Sequence, residues 1–400
     1  MLKFGLALSI LLTIPGELIR LPFGPGEGLL LNDVFLPLLI IFWLMRKLLV
    51  DRKFPKTPAG LPLAIFIAVA IASLVASLRF LGPQEALPGL LYLIRFIEYA
   101  FLYFITADLI KKEKDIHRIL AVMIGSAVLI AIAGFIQFKL YPDFRPMEDL
   151  GWDPHVGRLL STWFDPNFVG GMFTFVSCLV MGLLLTTKKY RPQLVMALGL
   201  LVIAIFLTYS RSSYLALAAG ILVIGILKSR KALLGIIIAI IILVPFSERA
   251  QTRIIDTYHS AKAIITDTAE TPDITSQHRL NSWKRAITMT KNHPIIGIGY
   301  NNFKIVQSKE GLIMDPNSHA ATGSDSTLLN FLATTGPLGL LAMLFVYINL
   351  LKASYKNRKT WQVGTLAGTI ALLVHAIFVN SLLFPGILVY FWILNGIKKT

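Results

Sequence analysis

Twelve apolar stretches divide this chain, each long enough or nearly long enough to cross a hydrocarbon core, which takes about 20 apolar residues. They lie near 4 to 19, 29 to 49, 61 to 79, 88 to 109, 117 to 138, 166 to 186, 192 to 209, 212 to 228, 232 to 246, 325 to 351, 361 to 379 and 383 to 397. The first is interrupted by Pro15 and Glu17, and the ninth is short. With 55% hydrophobic and 15% charged side chains and a mean hydropathy of +0.69, a soluble enzyme is excluded. A span must satisfy its backbone polar groups internally, and runs of this length do so as helices. The expected fold class is an all-α integral membrane protein of about 12 transmembrane helices.

Lysine and arginine set the expected orientation, because cytoplasmic loops hold their excess. From a cytoplasmic N-terminus, every short loop on that side is basic. The groups are Arg46, Lys47, Arg52, Lys53 and Lys56; Lys111, Lys112, Lys114 and Arg118; Lys188, Lys189 and Arg191; Lys228, Arg230 and Lys231; and Lys352, Lys356, Arg358 and Lys359. With Lys3, Lys398 and Lys399 these make 22 of the 38 basic residues. The net charge of +16 is thus mainly a topology signal, and it does not point to nucleic acid. Both termini are expected in the cytoplasm, and the first apolar run reads as a retained span because no small-residue cleavage site follows it. One cysteine, Cys178, excludes a disulfide framework within the chain.

The chain reads as one membrane domain, 1–400, with two long outer segments: a first outer loop at 139–165 and a large extracytoplasmic loop at 247–324 between spans nine and ten. Within the large loop, 253 to 265 has the pattern of an amphipathic helix. A second helix is expected over about 276 to 290, with a stripe of Leu280, Trp283 and Ile287, ended by Asn292-His293-Pro294. The segment Ile295 to Tyr300 suits either a tight turn at the bilayer surface or a packed re-entrant piece.

Polar residues at the outer face are the candidates for chemistry. Arg211 lies in the interruption Ser210-Arg211-Ser212-Ser213 between two apolar runs. A guanidinium makes two-point contacts with phosphate oxygens, and the serines can complete the shell. An interfacial arginine that snorkels or pairs with a loop carboxylate is the equal alternative. Arg279 opens the second loop helix and is a candidate to join Arg211 around one anion, whereas Lys284 and Arg285 read as a solvated face. Arg158 precedes Asp165-Pro166-Asn167, itself a turn and helix cap. Arg95 and Glu98, at i, i+3 in the fourth span, read as a structural pair. Asp325 and His319, just before span ten, are candidate general bases, although Asp325 also suits a helix cap and His319 a loop position. Neither a Walker-type glycine loop nor histidine spacing for a metal is present, so the sequence indicates no metal site and no cofactor.

Four blocks in order resemble the bacterial O-antigen ligase and O-antigen polymerase family, over about 158 to 345. They are Arg158 to Asn167 with its Phe-Asp-Pro-Asn core; Tyr209-Ser-Arg-Ser-Ser-Tyr-Leu-Ala-Leu; Arg279 to Tyr300 with Trp283, Pro294 and Gly297-Ile-Gly; and Asp325 to Gly339 with Thr335-Gly336-Pro-Leu-Gly339. The resemblance implies a GT-C-like membrane glycosyltransferase, inverting and metal-independent, acting on a polyprenyl-diphosphate-linked glycan at the outer face of the bacterial inner membrane. Its partners would be that donor, a glycan or lipid acceptor, and membrane lipids. It implies Arg211 and Arg279 as diphosphate ligands, with Arg158 as a secondary candidate, and a base that activates the acceptor hydroxyl.

The chain departs from the ligase pattern at one place. Ligases carry a His-Asn pair at the start of the span-ten block, where this chain has Asp325-Ser326. Asp325 and His319 are therefore both candidate bases, and a repeat-unit polymerase stands beside the ligase reading. A flippase for the same glycans is the competing class, but it should show charges along several spans and two related halves. Here the candidates cluster toward the outer face.

Overall fold

A computed structural model of the chain describes residues 2–22, 28–228, 234, 252, 274–313 and 323–397. The first half contains α1 (Leu2–Leu11), a short hairpin of Arg20–Pro22 with Gly28–Leu30, α2 (Leu31–Arg46), α3 (Gly60–Ser77), α4 (Pro83–Leu109) and α5 (Glu113–Leu140). Then come α6 (Pro166–Thr186), α7 (Arg191–Leu207), α8 (Arg211–Leu227), α9 (Ile274–Asn292), α10 (Phe303–Lys309), α11 (Thr327–Lys356), α12 (Gln362–His375) and α13 (Pro385–Gly396).

Five of these helices, α3, α4, α5, α6 and α11, are long and apolar enough to cross a membrane, and five shorter apolar helices accompany them. The protein is thus a helical membrane protein. The expected first span is cut short, because α1 ends at Leu11 and the chain turns before Pro15 and Glu17. Apart from residue 234, the expected ninth span at 232–246 lies outside the described residues, as does the amphipathic helix at 253–265.

The core sits where α6, α12 and α13 meet. In α6, 83% of the most apolar window is buried inside the protein. α12 packs against α6 and α8, α13 against α4, and α11 against α3. Asp165 caps α6, its Oδ1 accepting from the amides of Asn167 (2.6 Å) and Phe168 (3.0 Å), and Pro166 occupies the first turn, where no amide is needed.

Charges inside the bundle are paired between helices. Arg95 donates to Asp33 of α2 at 2.8 Å and to the Gly28 carbonyl at 3.0 Å, and Tyr99 donates to the same carboxylate. The expected partner within α4, Glu98, is not the one that holds Arg95: packing offered a carboxylate on a neighbouring helix, which local spacing cannot reveal. Lys47, counted above as a loop cation, is buried and held by Asp108 (2.6 Å) and Asp51 (2.8 Å).

The segment Ile295 to Tyr300 is a packed turn. The Ile298 amide donates to the carbonyl of Ala333 at 3.0 Å, and Tyr300 packs on Phe66, which also meets Phe331. The turn enters the notch made by Gly336, whose φ of 67° and ψ of −177° interrupt α11 before Pro337. Gly297 and Gly336 have a steric reason to be glycine. A Cβ on Gly297 would lie 2.5 Å from Ala333 O, and one on Gly336 would lie 2.2 Å from Ile295 O.

Candidate active site

Arg211 is the first residue of α8, half-buried, directly after the cap Ser210. A cation there opposes the helix dipole, so the dipole does not account for its placement. Its charge adds instead to the first-turn amides of α8, an arrangement that favours an anion. The chain reaches this point through Tyr209, which has a positive φ of 49°. Arg158 fixes the turn, since its Nε donates to the Thr208 carbonyl at 2.8 Å. Asn167, in the first turn of α6, accepts from Ser210 Oγ at 2.9 Å and lies 3.5 Å from an Arg158 nitrogen.

The serines after Arg211 face a buried histidine. His375 Nε2 lies 3.1 Å from Ser212 Oγ and 3.2 Å from Ser213 Oγ, and its Nδ1 lies 2.5 Å from Ser381 Oγ. Two glycines of α6 make room: a Cβ on Gly170 would sit 2.4 Å from Ser213 Oγ, and one on Gly171 would sit 3.0 Å from the His375 ring. His375 and Ser381 are not among the sequence candidates, and Asn167 enters there only as part of a turn and helix cap. The signal for the first was available, because an ionisable residue inside an apolar run is a functional or packing constraint by default.

Arg279 and Asp325 come together through α9. Ser282 Oγ lies 2.9 Å from the Arg279 carbonyl and 3.3 Å from Asp325 Oδ2, and accepts from the Asp325 amide at 3.1 Å. Trp283 Nε1 donates to the Asp325 carbonyl at 3.3 Å. The cap of α11 is Ser326, whose side chain accepts from the Leu329 amide, so Asp325 does not serve as the helix cap. Its carboxylate reaches solvent, yet enough protein surrounds it that desolvation holds its pKa above the ordinary carboxylate value. Arg279, Ser282 and Arg285 oppose that shift, and Asp153 adds to it.

The link between the two groups is the chain after α12. Arg279 Cζ lies 5.9 Å from the centre of the Phe378 ring, three residues beyond His375. The start of α11 is tied to the same segment, with the Thr327 amide donating to Ala376 O at 2.8 Å and the Thr327 hydroxyl to Val379 O at 3.1 Å. Arg211, Arg279, Arg158 and Asp325 therefore border connected elements at one end of the bundle. His319 lies outside the described residues.

Helix α9 covers the expected second loop helix, but its buried face is Ser282, Ala286 and Met289, whereas Ile287 is exposed. Small side chains allow α9 to lie close on the protein, while Leu280 and Trp283 are half-buried and Trp283 packs with its ring centre 6.1 Å from that of Phe378. Arg285 corrects the expectation of a solvated face: it is half-buried, and its Nε donates to Gln307 of α10 at 3.1 Å. Lys284 is exposed.

The first outer loop brings Asp153, His155 and Asp165 together, each offering a ligand atom within 4.8 Å of the others. The Asp165 carboxyl is pushed up to about 6 by burial and then by Asp153, against its two amide donors and Arg158. Two carboxylates and an imidazole make a donor set suited to a divalent cation. Local spacing does not reveal this cluster, because Asp165 comes to Asp153 and His155 only through the fold of the loop.

Helices of membrane-spanning length thus carry, at one end, a cluster of basic and hydroxyl side chains. The O-antigen ligase family model matches residues 196–344. This matched stretch runs from within α7 through most of α11, and over it the chain is similar to that family. It contains Arg211, Arg279 and Asp325. No curated protein matches the chain.

Proposed function

We propose that this protein transfers a glycan from a polyprenyl-diphosphate carrier to an acceptor hydroxyl at the outer face of the bacterial inner membrane. Arg211 and Arg279 hold the diphosphate, and Asp325 takes the acceptor proton, with His319 as the second candidate base. The observation that carries this reading is the placement of Asp325 against Ser282, on the helix that carries Arg279. The helix that carries Arg279 then also holds the base in place, through Ser282.

In the proposed step the acceptor oxygen bonds to the anomeric carbon while the bond from that carbon to the diphosphate breaks. The acceptor proton passes to the Asp325 carboxylate. The electron pair leaves with the lipid diphosphate, whose growing charge meets the two guanidinium groups, so the arginines stabilise the transition state where charge develops. A single displacement inverts the anomeric centre, and the arginines fill the role of a metal. Arg158 acts by fixing the turn that presents Arg211.

The ligase reading leads. The repeat-unit polymerase is favoured by one observation, Asp325-Ser326 where ligases carry His-Asn. Deleting the gene and profiling the surface glycan separates them. Full-length chains stranded on the polyprenyl carrier indicate a ligase, whereas retained single units without long chains indicate a polymerase. An unchanged glycan profile would sink both.

A further inference from the structure

At the end of the bundle opposite Asp325, a cavity of about 780 Å³ opens between α4, α11, α12 and α13. This is the end where basic loops collect: Lys3 pairs with Asp115 there, and Lys228 donates to the Lys359 carbonyl. The volume lies in the range of small-molecule sites, roughly 300–1,000 Å³, and none of the residues assigned above to glycan transfer lines it.

The lining has a definite chemical character. Lys352 and Lys356 stand at the rim, both exposed, and among the described residues the lining contains no carboxylate. Leucines of α11, α12 and α13 form apolar walls. Gln362 and Thr365, at the start of α12, contribute buried polar atoms: they are 5% and 2% exposed, and Gln362 Oε1 and Thr365 Oγ1 have no hydrogen-bond partner among the described residues. A buried polar atom without a partner costs stability unless something occupies the site. Gln362 Oε1 requires a donor, and the Thr365 hydroxyl can donate.

We infer that this cavity binds the headgroup of an anionic glycerophospholipid of the leaflet at the basic end, with phosphatidylglycerol as the best-matched type. Lys352 and Lys356 face the phosphate, the Thr365 hydroxyl donates to a phosphate oxygen, and Gln362 Oε1 accepts from a glycerol hydroxyl. The acyl chains follow the apolar walls. Basic pockets between transmembrane helices on the cytoplasmic side recognise anionic headgroups in this way. A zwitterionic choline headgroup offers the phosphate but no hydroxyl donor, and it brings a cation toward two lysines. The inference is independent of the transferase reading, since it concerns a separate cavity and lipid rather than glycan.

The test uses the full chain, purified in detergent and stripped of lipid, then supplied with phosphatidylglycerol or phosphatidylcholine. Native mass spectrometry counts retained lipid, and thermal unfolding reads stabilisation. One retained phosphatidylglycerol is expected, with a raised Tm that phosphatidylcholine does not produce. The doubly substituted Lys352→Gln, Lys356→Gln protein is expected to lose at least tenfold in retention while unfolding like the parent in phosphatidylcholine. Lys352→Arg with Lys356→Arg is expected to keep binding, so a folding defect in the glutamine variant cannot pass for a loss of the site. Equal retention of the two lipids, or undiminished phosphatidylglycerol retention by the glutamine variant, overturns the inference.

Discussion

Ser282 joins Asp325 to the turn of α9 that carries Arg279, its hydroxyl 3.3 Å from Asp325 Oδ2 and 2.9 Å from the Arg279 carbonyl. Because the Asp325 amide also donates to that hydroxyl, the position of the carboxylate is set from both sides. Desolvation raises its pKa and the Arg279 charge lowers it, so the two residues are coupled in charge as well as in position.

That coupling gives a pH prediction. As a base Asp325 acts only when deprotonated, and its pKa lies above the ordinary carboxylate value. Activity should therefore fall as pH drops through that raised value, and Asp325→Asn should lose about 10²–10⁴-fold, the usual contribution of a general base. Replacing Arg279 by glutamine removes the charge that lowers the Asp325 pKa. The acid limb of the residual activity should then move to higher pH. A pH-rate profile with a lipid-linked donor checks this, and a limb displaced to lower pH would contradict the assignment.

Arg211 should tolerate no substitution. Alanine removes the charge at the start of α8, and lysine keeps the charge but loses the planar fork that meets two phosphate oxygens at once. We expect Arg211→Ala to lower transfer about 10²–10³-fold, as for loss of one donor to a developing anion, with Arg211→Lys recovering little of it. Complementation of the deletion strain reads the outcome. Full glycan synthesis by Arg211→Ala would remove the proposed role.

Much of this was legible in the sequence. The apolar runs mark where helices form, Ser210-Arg211-Ser212-Ser213 marks the start of α8, and Asp165-Pro166 caps α6. What the chain could not show locally was partner choice across the bundle. Arg95 pairs with Asp33, distant in sequence, and α9 buries Ser282, Ala286 and Met289 while Ile287 of the expected stripe is exposed. Asp325 reads as the cap of α11, but Ser326 takes that place and Ser282 holds Asp325 instead. His375 was hidden because hydropathy treats one histidine in an apolar run as a minor interruption.

His375 supplies the next prediction. It is fully buried and meets the hydroxyls of Ser212, Ser213 and Ser381. His375→Leu takes the ring from all three; Ser212 keeps Ser210 and Ser381 keeps the Val379 carbonyl, so the loss is about 1–3 kcal/mol, that of one stranded group. A lower Tm is expected, together with a rise in KM larger than the fall in kcat, because the change reaches the substrate through Arg211. An unchanged KM beside a lowered Tm would confine His375 to stability.

The proposed chemistry needs no metal, and the Asp153, His155 and Asp165 cluster is where that claim is most open to test. Activity should persist in excess chelator, and Asp153→Asn should respond to chelation as the parent does. If chelation abolishes activity, added divalent cation restores it, and Asp153→Asn cannot be restored, the arginines do not act alone on the diphosphate.

The last prediction concerns the notch in α11. Gly297 has a φ of 71°, and a Cβ there would approach Ala333 O to 2.5 Å and the Gly336 amide nitrogen to 2.7 Å. Neither contact is the end of a flexible side chain, so the backbone itself must move. Gly297→Ala therefore combines an unfavourable left-handed conformation, of order 1 kcal/mol, with a steric clash. The displaced turn would carry Ile298 away from Ala333 and loosen α11 near the residues that position Asp325. Thermal unfolding should show a clear drop, and transfer should fall with it. Gly311 gives the control: it too has a positive φ, of 66°, but a Cβ there meets nothing within 4 Å. Gly311→Ala should therefore carry the conformational cost alone and lose less stability than Gly297→Ala. Equal losses would mean that the close approach of the turn to α11 contributes nothing.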